Sequence, residues 1–167
     1  MIHVTKAAPA DAFAVAEIVS QTWRAAYSEI IPKDELERFV TQPNRIERTE
    51  MRLADPSWYC YIARAGEEPC GIVSFCACTE DENRPGCAML RQLFALPQYW
   101  DAGVGSALLK HALTEIRRQG YSTVALWVFE QNARARRFYE KHHFALDGTS
   151  DELMGAIVLR YRLELST

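Results

Sequence analysis

The spacing of hydrophobic residues changes along the chain, and these changes predict the order of helices and strands. A short alternating strand comes first. Three stretches follow with apolar residues at every third or fourth position, the spacing of a helix with one buried face. From Trp58 onward, short apolar runs between glycine, proline and polar turns predict strands, with two further helical stretches among them. The predicted elements are, in order, a strand over 2–7, helices over 12–27, 34–40 and 44–53, strands over 58–63, 70–79 and 88–96, a helix over 103–119, a strand over 123–129, a helix over 132–142, and strands over 144–146 and 156–165.

The order of these elements predicts a mixed α/β fold. The second, third and fourth strands follow one another directly and are expected to be antiparallel, whereas a helix separates the fourth from the fifth, which predicts a parallel pair. We therefore expect a single domain over residues 1–167. Its central sheet is expected to have about six to seven strands, mostly antiparallel, with helices on both faces. The polar residues 147–155 are expected to form a loop between the last two strands.

The stretch 93–109 joins the fourth strand to the next helix and carries the first candidate binding site. Pro97 ends the strand, and Gly103 and Gly105 precede the helical pattern. The first amides of a helix have no intrahelical partner, and glycines let a phosphate approach the backbone closely. An ordinary strand-to-helix turn has the same spacing. The dinucleotide fingerprint and the P-loop do not fit, because Leu108 stands at the third glycine position of the first and no lysine follows Gly105.

Composition and charge narrow the classes of function. Hydrophobic residues make up 49% and charged residues 25% of the 167, which is typical of a globular domain. A net charge of −3 and a pI near 5.8 argue against general nucleic-acid binding, whose footprint is basic. No run of 18 apolar residues occurs, so no membrane partner is expected. Residues 1–6 lack the apolar segment of a signal peptide, which predicts a cytoplasmic protein.

The cysteines and histidines predict no metal site. An odd number of cysteines without a secretion signal favours reduced thiols, buried as small residues on strands. Cys76 and Cys78 are separated by one residue, whereas a zinc knuckle has two between its ligands. The histidines are scattered or adjacent in the sequence. We therefore expect no bound metal. The residues considered are Cys60, Cys70, Cys76, Cys78, Cys87, His3, His111, His142 and His143.

Residues 100–105 resemble motif A of the GNAT superfamily of acetyl-CoA-dependent N-acetyltransferases, which is Q/R-x-x-G-x-G/A after a strand that ends near a proline. Gly103 and Gly105 match the two glycine positions. Trp100 replaces the usual Gln or Arg, and Asp101 stands where a small residue is common. The second departure puts an anion beside the expected pyrophosphate, which is unfavourable.

Residues 125–144 resemble motif B of the same family, a strand followed by N-x-x-A/S-x-x-x-Y-x-K-x-G-F. His143 replaces the usual glycine. Because several residues match in register, this motif is more specific than the two glycines, and the two motifs occur at the expected separation. The matching residues are Asn132, Ala135, Tyr139, Lys141 and Phe144.

The resemblance implies an enzyme that moves an acetyl group from acetyl-CoA to a primary amine of a small molecule, peptide or protein. It implies that Tyr139 lies near the thioester sulfur, where a phenol with a pKa of about 10 would protonate the departing thiolate. Asn132 is expected near the pantetheine arm. A helix N-cap and a half-buried aromatic are the alternative interpretations of Asn132 and Tyr139. The implied backbone contacts are Leu93, Phe94 and Ala95 for pantetheine and Asp101, Ala102, Gly103, Val104, Gly105 and Ser106 for pyrophosphate.

The general base is not identified by the sequence. An amine with a pKa of about 10.4 is almost wholly protonated at neutral pH. Many members of the family therefore carry a glutamate on the fourth or fifth strand, where this chain has Met89 and Trp127. A bound water, a backbone carbonyl or an amine of low pKa would also serve. Loop carboxylates that could reach an acceptor, or be plain surface charges, are Glu29, Glu80, Asp81 and Glu82.

The acceptor and the oligomeric state are also left open. A basic run in motif B, formed by Arg134, Arg136, Arg137 and Lys141, contains candidates for the phosphates of coenzyme A or a solvated helix face. Met89, Trp127, Trp100 and Asp101 allow a second function, a non-catalytic acyl-CoA-binding or sensing domain. A homodimer is compatible with either function. Candidates for the acceptor pocket are the aromatic residues Trp23, Tyr27 and Trp58 and, for a cationic acceptor, Asp147, Asp151 and Glu152.

Overall fold

The computed structural model describes residues 1–79 and 85–166, which form a seven-stranded sheet with helices on both faces. The strands are β1 (Ile2–Lys6), β2 (Tyr59–Ala65), β3 (Glu68–Ala77), β4 (Cys87–Ala95), β5 (Thr123–Phe129), β6 (Ala145–Leu153) and β7 (Ala156–Glu164). The helices are α1 (Ala12–Tyr27), α2 (Lys33–Val40), α3 (Arg45–Leu53), α4 (Val104–Arg118) and α5 (Ala133–Lys141). Short 3₁₀ turns precede α1 and follow β4.

The sheet confirms the predicted mixed α/β fold. Its strand order is β1-β2-β3-β4-β5-β7-β6. All neighbouring strands are antiparallel except β4 and β5, which are parallel as predicted. The predicted bounds of β5 and α1 agree with the structure, and those of the other helices differ by one residue at one or both ends.

The predicted loop over 147–155 is wrong, because most of it belongs to β6. This strand is the edge of the sheet, and nearly all its residues are exposed, so its sequence carries no apolar alternation. Its pairing with β7 is shifted between Leu146 and Ser150. The turn itself is confined to Met154 and Gly155, both with positive φ. Backbone pairing with β7 is therefore enough to hold a polar segment in the sheet.

Two hydrophobic layers cover the sheet. On one face, Val73 and Phe75 of β3 pack with α4 residues such as Leu108. On the other face, Ile72 packs with Ile18 of α1. The alternation along β3 thus assigns α4 to one face and α1 to the opposite one. In the described part of the chain, no helix combines the length and the hydropathy that crossing a bilayer requires.

Gly71 on β3 lets the first turns of α4 sit directly on the sheet. A Cβ at this position would lie 2.8 Å from the carbonyl oxygen of Phe94. It would also lie 2.9 Å from Leu108 Cδ1 and 2.9 Å from Val104 Cγ1. Because one of these atoms belongs to the backbone of β4, the crowding cannot be relieved by a side-chain rotation alone.

We expect the substitution Gly71→Ala to lower the free energy of unfolding by about 1–3 kcal/mol, the usual cost of overpacking a core. Denaturant-induced unfolding measures it. Gly105→Ala is the matched control, because it adds the same methyl group on α4 at an ordinary contact distance, 3.4 Å from the Phe138 ring. Equal stability of the two variants would contradict the packing role of Gly71.

Strands β4 and β5 separate soon after they meet. Their pairing covers only Cys87 with Thr123, Ala88 with Val124 and Met89 with Ala125. Beyond these pairs, β4 continues along β3 and β5 continues along β7. The sheet therefore opens between β4 and β5, and the opening starts next to Met89.

Candidate active site

A continuous cleft of about 1040 Å³ passes along the opening between β4 and β5. Its walls come from the C-terminal half of α1, from β4 and β5, from the start of α4, and from α5. Since α1 and α4 lie on opposite faces of the sheet, the cleft joins the two faces. We call the part beside α4 and α5 the α4 end and the part beside α1 the α1 end.

The edge of β4 presents backbone groups to the cleft at alternate residues. The Leu96 N–H donates to the Cys70 carbonyl of β3 at 2.9 Å, and Phe94 is paired with Ile72. In an antiparallel ladder, Leu96 and Phe94 therefore direct their backbone groups toward β3, while Leu93 and Ala95 direct theirs toward the opening. Of the three residues expected to bind pantetheine, Leu93 and Ala95 have the suitable backbone direction.

The carbonyl of Ala95 already accepts two hydrogen bonds. Trp100 Nε1 donates to it at 2.9 Å and Thr22 Oγ1 at 3.4 Å. The indole of Trp100 is thereby fixed beside the end of β4, in the position where motif A usually has Gln or Arg. Of the two residues whose backbone groups point toward the opening, Leu93 keeps its backbone groups for a ligand and Ala95 keeps its N–H.

The start of α4 presents a row of helix amides to the cleft. Gly103 is the N-cap residue with a φ of 85°, and the first intrahelical bond is donated by Ala107 to the Gly103 carbonyl at 3.0 Å. Within the described part of the chain, the N–H groups of Val104, Gly105 and Ser106 have no hydrogen-bond acceptor. These amides lie at the positive end of the helix dipole, which makes the turn suitable for an anion.

Arg134, at the start of α5, contacts both residues that depart from motif A. Its guanidinium carbon lies 4.1 Å from the centroid of the Trp100 ring, and its Nη2 lies 3.8 Å from Asp101 Oδ1. The Asp101 carboxylate is 93% exposed. The anion next to the helix amides is thus accompanied by a cation that the indole holds in place. Sequence reasoning named Arg134 only as one of four basic residues.

Of the other three basic residues of motif B, one binds residues of the sheet and the loop after β5, and two line the cleft. Arg136 donates to Tyr161 Oη at 3.0 Å and to the Glu130 carbonyl at 3.2 Å, which ties α5 to β7 and to the end of β5. Arg137 and Lys141 line the cleft with Arg134. The pairing of Arg136 could not be read from the sequence, because Tyr161 is 25 residues away.

Asn132 is the N-cap of α5, as its alternative interpretation predicts. Its Oδ1 accepts a hydrogen bond from the Ala135 N–H at 3.2 Å. The residue also lines the cleft. The capping bond fixes the side chain at the beginning of α5, beside the opening of the sheet.

Tyr139 lies between the two ends of the cleft and is buried. Phe138 and Phe144 hold its ring through edge contacts, with centroids 5.4 and 5.6 Å away. Burial raises the pKa of Tyr139 above its usual value, and the nearby Tyr27 raises it further. Burial likewise raises the pKa of Tyr27 to about 12. Both phenols therefore keep their protons at neutral pH, which suits an acid rather than a base.

Carboxylates are scarce in the cleft. Of the described residues that line it, Asp101 is the carboxylate of the α4 end and Glu29 that of the α1 end. Met89 is buried where β4 and β5 separate. The ring centroid of Trp127 lies 5.6 Å from the guanidinium carbon of Arg160. The candidate bases Glu80, Asp81 and Glu82 lie outside the described residues.

The predicted acceptor residues are only partly brought together. Trp23 and Tyr27 line the α1 end of the cleft, whereas Trp58 lies in a separate groove under the guanidinium of Arg52, 4.3 Å from it. Asp147 binds Arg160 at 2.5 Å and Arg162 at 2.8 Å. Asp151 and Glu152 are exposed on β6.

Sequence reasoning missed three residues that line the α1 end or its approach. Gln92 on β4 accepts a hydrogen bond from Ser74 Oγ at 2.8 Å. Two polar residues, Arg91 and Gln92, in the middle of an apolar strand were the signal that could have identified it. Phe129 and Val158 carry no such signal, because any buried strand contains residues of their kind.

This fold and this cleft define a class of acyltransferases. A family model described as Acetyltransferase (GNAT) family matches residues 16–144. The chain belongs to the GNAT acetyltransferase family. Among the residues described, no group of three or more His, Cys, Asp or Glu side chains is arranged to hold a metal ion.

Relatives and solved structures agree with this assignment. The chain is 28% identical over 148 residues to a probable N-acetyltransferase of Mycobacterium tuberculosis, covering 88% of this chain and 82% of that protein. PaiA N-acetyltransferase from Thermoplasma acidophilum, solved with coenzyme A, has the same fold with a TM-score of 0.81 and 19% identity, over 96% of this chain and 98% of that chain. YncA of Salmonella typhimurium, solved with its cofactor acetyl-CoA, has a TM-score of 0.74 and 18% identity, over 100% and 95% of the two chains.

Proposed function

We propose that this acyltransferase moves the acetyl group of acetyl-CoA to a primary amine by direct attack of the amine on the thioester. The observation that carries the proposal is the cleft through the open sheet. It has unpaired helix amides at its α4 end, a protonated phenol midway and an aromatic pocket at its α1 end. The amides suit the phosphates of acetyl-CoA, the phenol suits the departing thiol, and the aromatic pocket suits the acceptor.

Acetyl-CoA binding is proposed along the α4 end. The pyrophosphate accepts hydrogen bonds within the turn 101–106 from the N–H groups of Val104, Gly105 and Ser106, with Arg134 as the neighbouring cation. The N–H of Ala102 donates to the Tyr99 carbonyl at 3.3 Å instead. The pantetheine arm follows the edge of β4 at Leu93 and Ala95 and passes Asn132. Coenzyme A and acetyl-CoA in the solved relatives PaiA and YncA support this choice of co-substrate.

The chemical step needs one acid and one route for a proton. The amine nitrogen attacks the thioester carbonyl carbon, the C–N bond forms and the C–S bond breaks. Tyr139 donates its phenolic proton to the departing sulfur. The amine releases its surplus proton to water, and water returns a proton to Tyr139. The products are an acetamide and free coenzyme A.

Calorimetric titration with acetyl-CoA, followed by detection of thiol release with a panel of amines, tests this function. Binding together with amine-dependent thiol release is the expected result. Binding without release for every amine would instead favour the acyl-CoA sensing domain, which Met89 and Trp127 at the usual glutamate positions allow.

We expect Arg134→Ala to weaken acetyl-CoA binding by about tenfold at low salt, because the phosphates lose a nearby cation. Dissociation constants at two salt concentrations measure it, and the effect should shrink as salt is added. Arg117→Ala, at an exposed position near the far end of α4, is the matched control and should not change the affinity. Asp101→Asn should tighten binding, since it removes the anion beside the phosphates. Equal affinities of Arg134→Ala and Arg117→Ala would exclude the phosphate contact.

A further inference from the structure

The α1 end of the cleft is walled by aromatic rings in mutual contact. Trp23 stacks on Phe39 at a centroid distance of 3.9 Å and meets the edge of Tyr27 at 4.9 Å. Tyr27 in turn meets Phe129 of β5 at 4.9 Å. Trp23, Tyr27 and Phe129 therefore line this end as a row of rings in mutual contact that runs from α1 to β5. Phe39 of α2 lines a separate groove and supports this row by stacking on Trp23.

Thr22 and Gln92 are polar members of the lining of this end, and both are hydrogen-bonded, Thr22 to the Ala95 carbonyl and Gln92 to Ser74. The rest of the lining is largely apolar. Ile30 follows α1, and Val158 of β7 lies opposite. Leu153, at the end of β6, lines the cleft although it is 45% exposed. In the described part of this end, Glu29 is the lining carboxylate, and it is exposed at the surface. A ligand here meets apolar surface with one negative charge near its entrance.

We infer that the acceptor is a primary amine with an apolar, preferably aromatic, body and no second charge. The inference rests on the proposed function and names the substrate class of the same site. An apolar body buries surface against Trp23 and Tyr27. A second ammonium group, or the polar backbone of a peptide, would lose its hydration against these rings, whereas the lining carboxylate, Glu29, lies exposed at the surface.

An apolar acceptor pocket also bears on the missing glutamate base. Removal from water disfavours the charged form of an amine and so lowers the pKa of its ammonium group. A larger fraction of the bound acceptor is then the neutral nucleophile. The pocket thus eases the deprotonation that a glutamate at Met89 or Trp127 would otherwise assist.

Four amines that differ in charge and in apolar character test the inference. Thiol release is measured with 2-phenylethylamine, hexylamine, 1,6-diaminohexane and a short lysine peptide. Hexylamine and 1,6-diaminohexane differ only in the second amino group. We expect kcat/KM to be highest for 2-phenylethylamine and about tenfold or more higher for hexylamine than for the diamine.

Two variants that each add one carboxylate test whether the preference for hexylamine over the diamine is set at the α1 end of the cleft. Leu153→Glu adds a carboxylate at the wall and should narrow the hexylamine-to-diamine ratio, because the second ammonium group gains a partner. Phe13→Glu adds the same charge on α1 at a 61% exposed apolar position that does not line the cleft. It should leave the ratio unchanged.

The outcomes separate the inference from the proposed function. Thiol release that is fastest with the diamine or the peptide would overturn the inference and leave the acetyl transfer intact. No release with any amine, while acetyl-CoA binds, would overturn the proposed function and the inference with it. A ratio that changes equally in Leu153→Glu and Phe13→Glu would overturn the assignment of selectivity to this wall.

Discussion

Replacing Tyr139 with phenylalanine is expected to lower turnover by about 10²–10⁴-fold and to leave acetyl-CoA binding nearly unchanged. The substitution removes one hydroxyl and keeps the ring, so the edge contacts with Phe138 and Phe144 survive. General acid catalysis typically contributes a factor of this size. Binding should change little, because the phenol acts on charge that develops only as the thioester breaks. Steady-state rates and calorimetric titration measure the two quantities.

Tyr27→Phe provides the matched control for this prediction. Tyr27 is a phenol of the same cleft whose pKa is also raised by burial, and its ring is likewise held by aromatic contacts. If Tyr139 is the acid, Tyr27→Phe should keep most of the turnover. A packing role for Tyr139 predicts the opposite pattern, near-normal rates for Tyr139→Phe and a loss only for Tyr139→Ala. That pattern, with chemistry shown to be rate-limiting, would remove Tyr139 from the mechanism.

Replacing Gly103 with valine is expected to weaken acetyl-CoA binding by at least about tenfold. The φ of Gly103 is 85°, a conformation that a β-branched residue adopts only with strain. Apart from its chain neighbours, no atom of the described residues would lie within 4 Å of the added Cβ, so the side chain enters open space. Strain of about 1–3 kcal/mol is relieved by moving the turn. If the turn moves, the amides of α4 are displaced. If it does not move, the valine side chain obstructs the path of the pyrophosphate.

The same substitution at the other end of α4 separates strain from binding. Gly120 has a φ of 90°, and a Cβ there would also meet no atom within 4 Å. Gly120→Val should therefore lose a similar amount of stability, while its affinity for acetyl-CoA stays that of the unsubstituted protein. If calorimetry gives Gly103→Val and Gly120→Val the same affinity, the pyrophosphate does not bind at this turn.

The elements with one buried face could be predicted from the sequence. The apolar spacing of α1 and α4 reports which side of each helix is buried, and the short apolar runs of β4 and β5 report strands that are covered on both faces. This is a local property of consecutive residues. The two motifs then connected β4, α4, β5 and α5 to one family. The polar edge strand β6 was missed because neither of its faces is covered, so no apolar pattern marks it.

The arrangement of the candidate site was decided by the tertiary structure. The contact of Arg134 with Trp100, the nearness of Tyr27 to Tyr139, and the contact of Tyr27 with Phe129 each join residues from different elements. Spacing along one element carries no information about which side chains of another element it meets. The sequence therefore determined the elements and the family of this protein. Packing across the open sheet determined which charges and rings surround the cleft, because those contacts form only once α1, α4 and α5 are fixed on the two faces of the sheet.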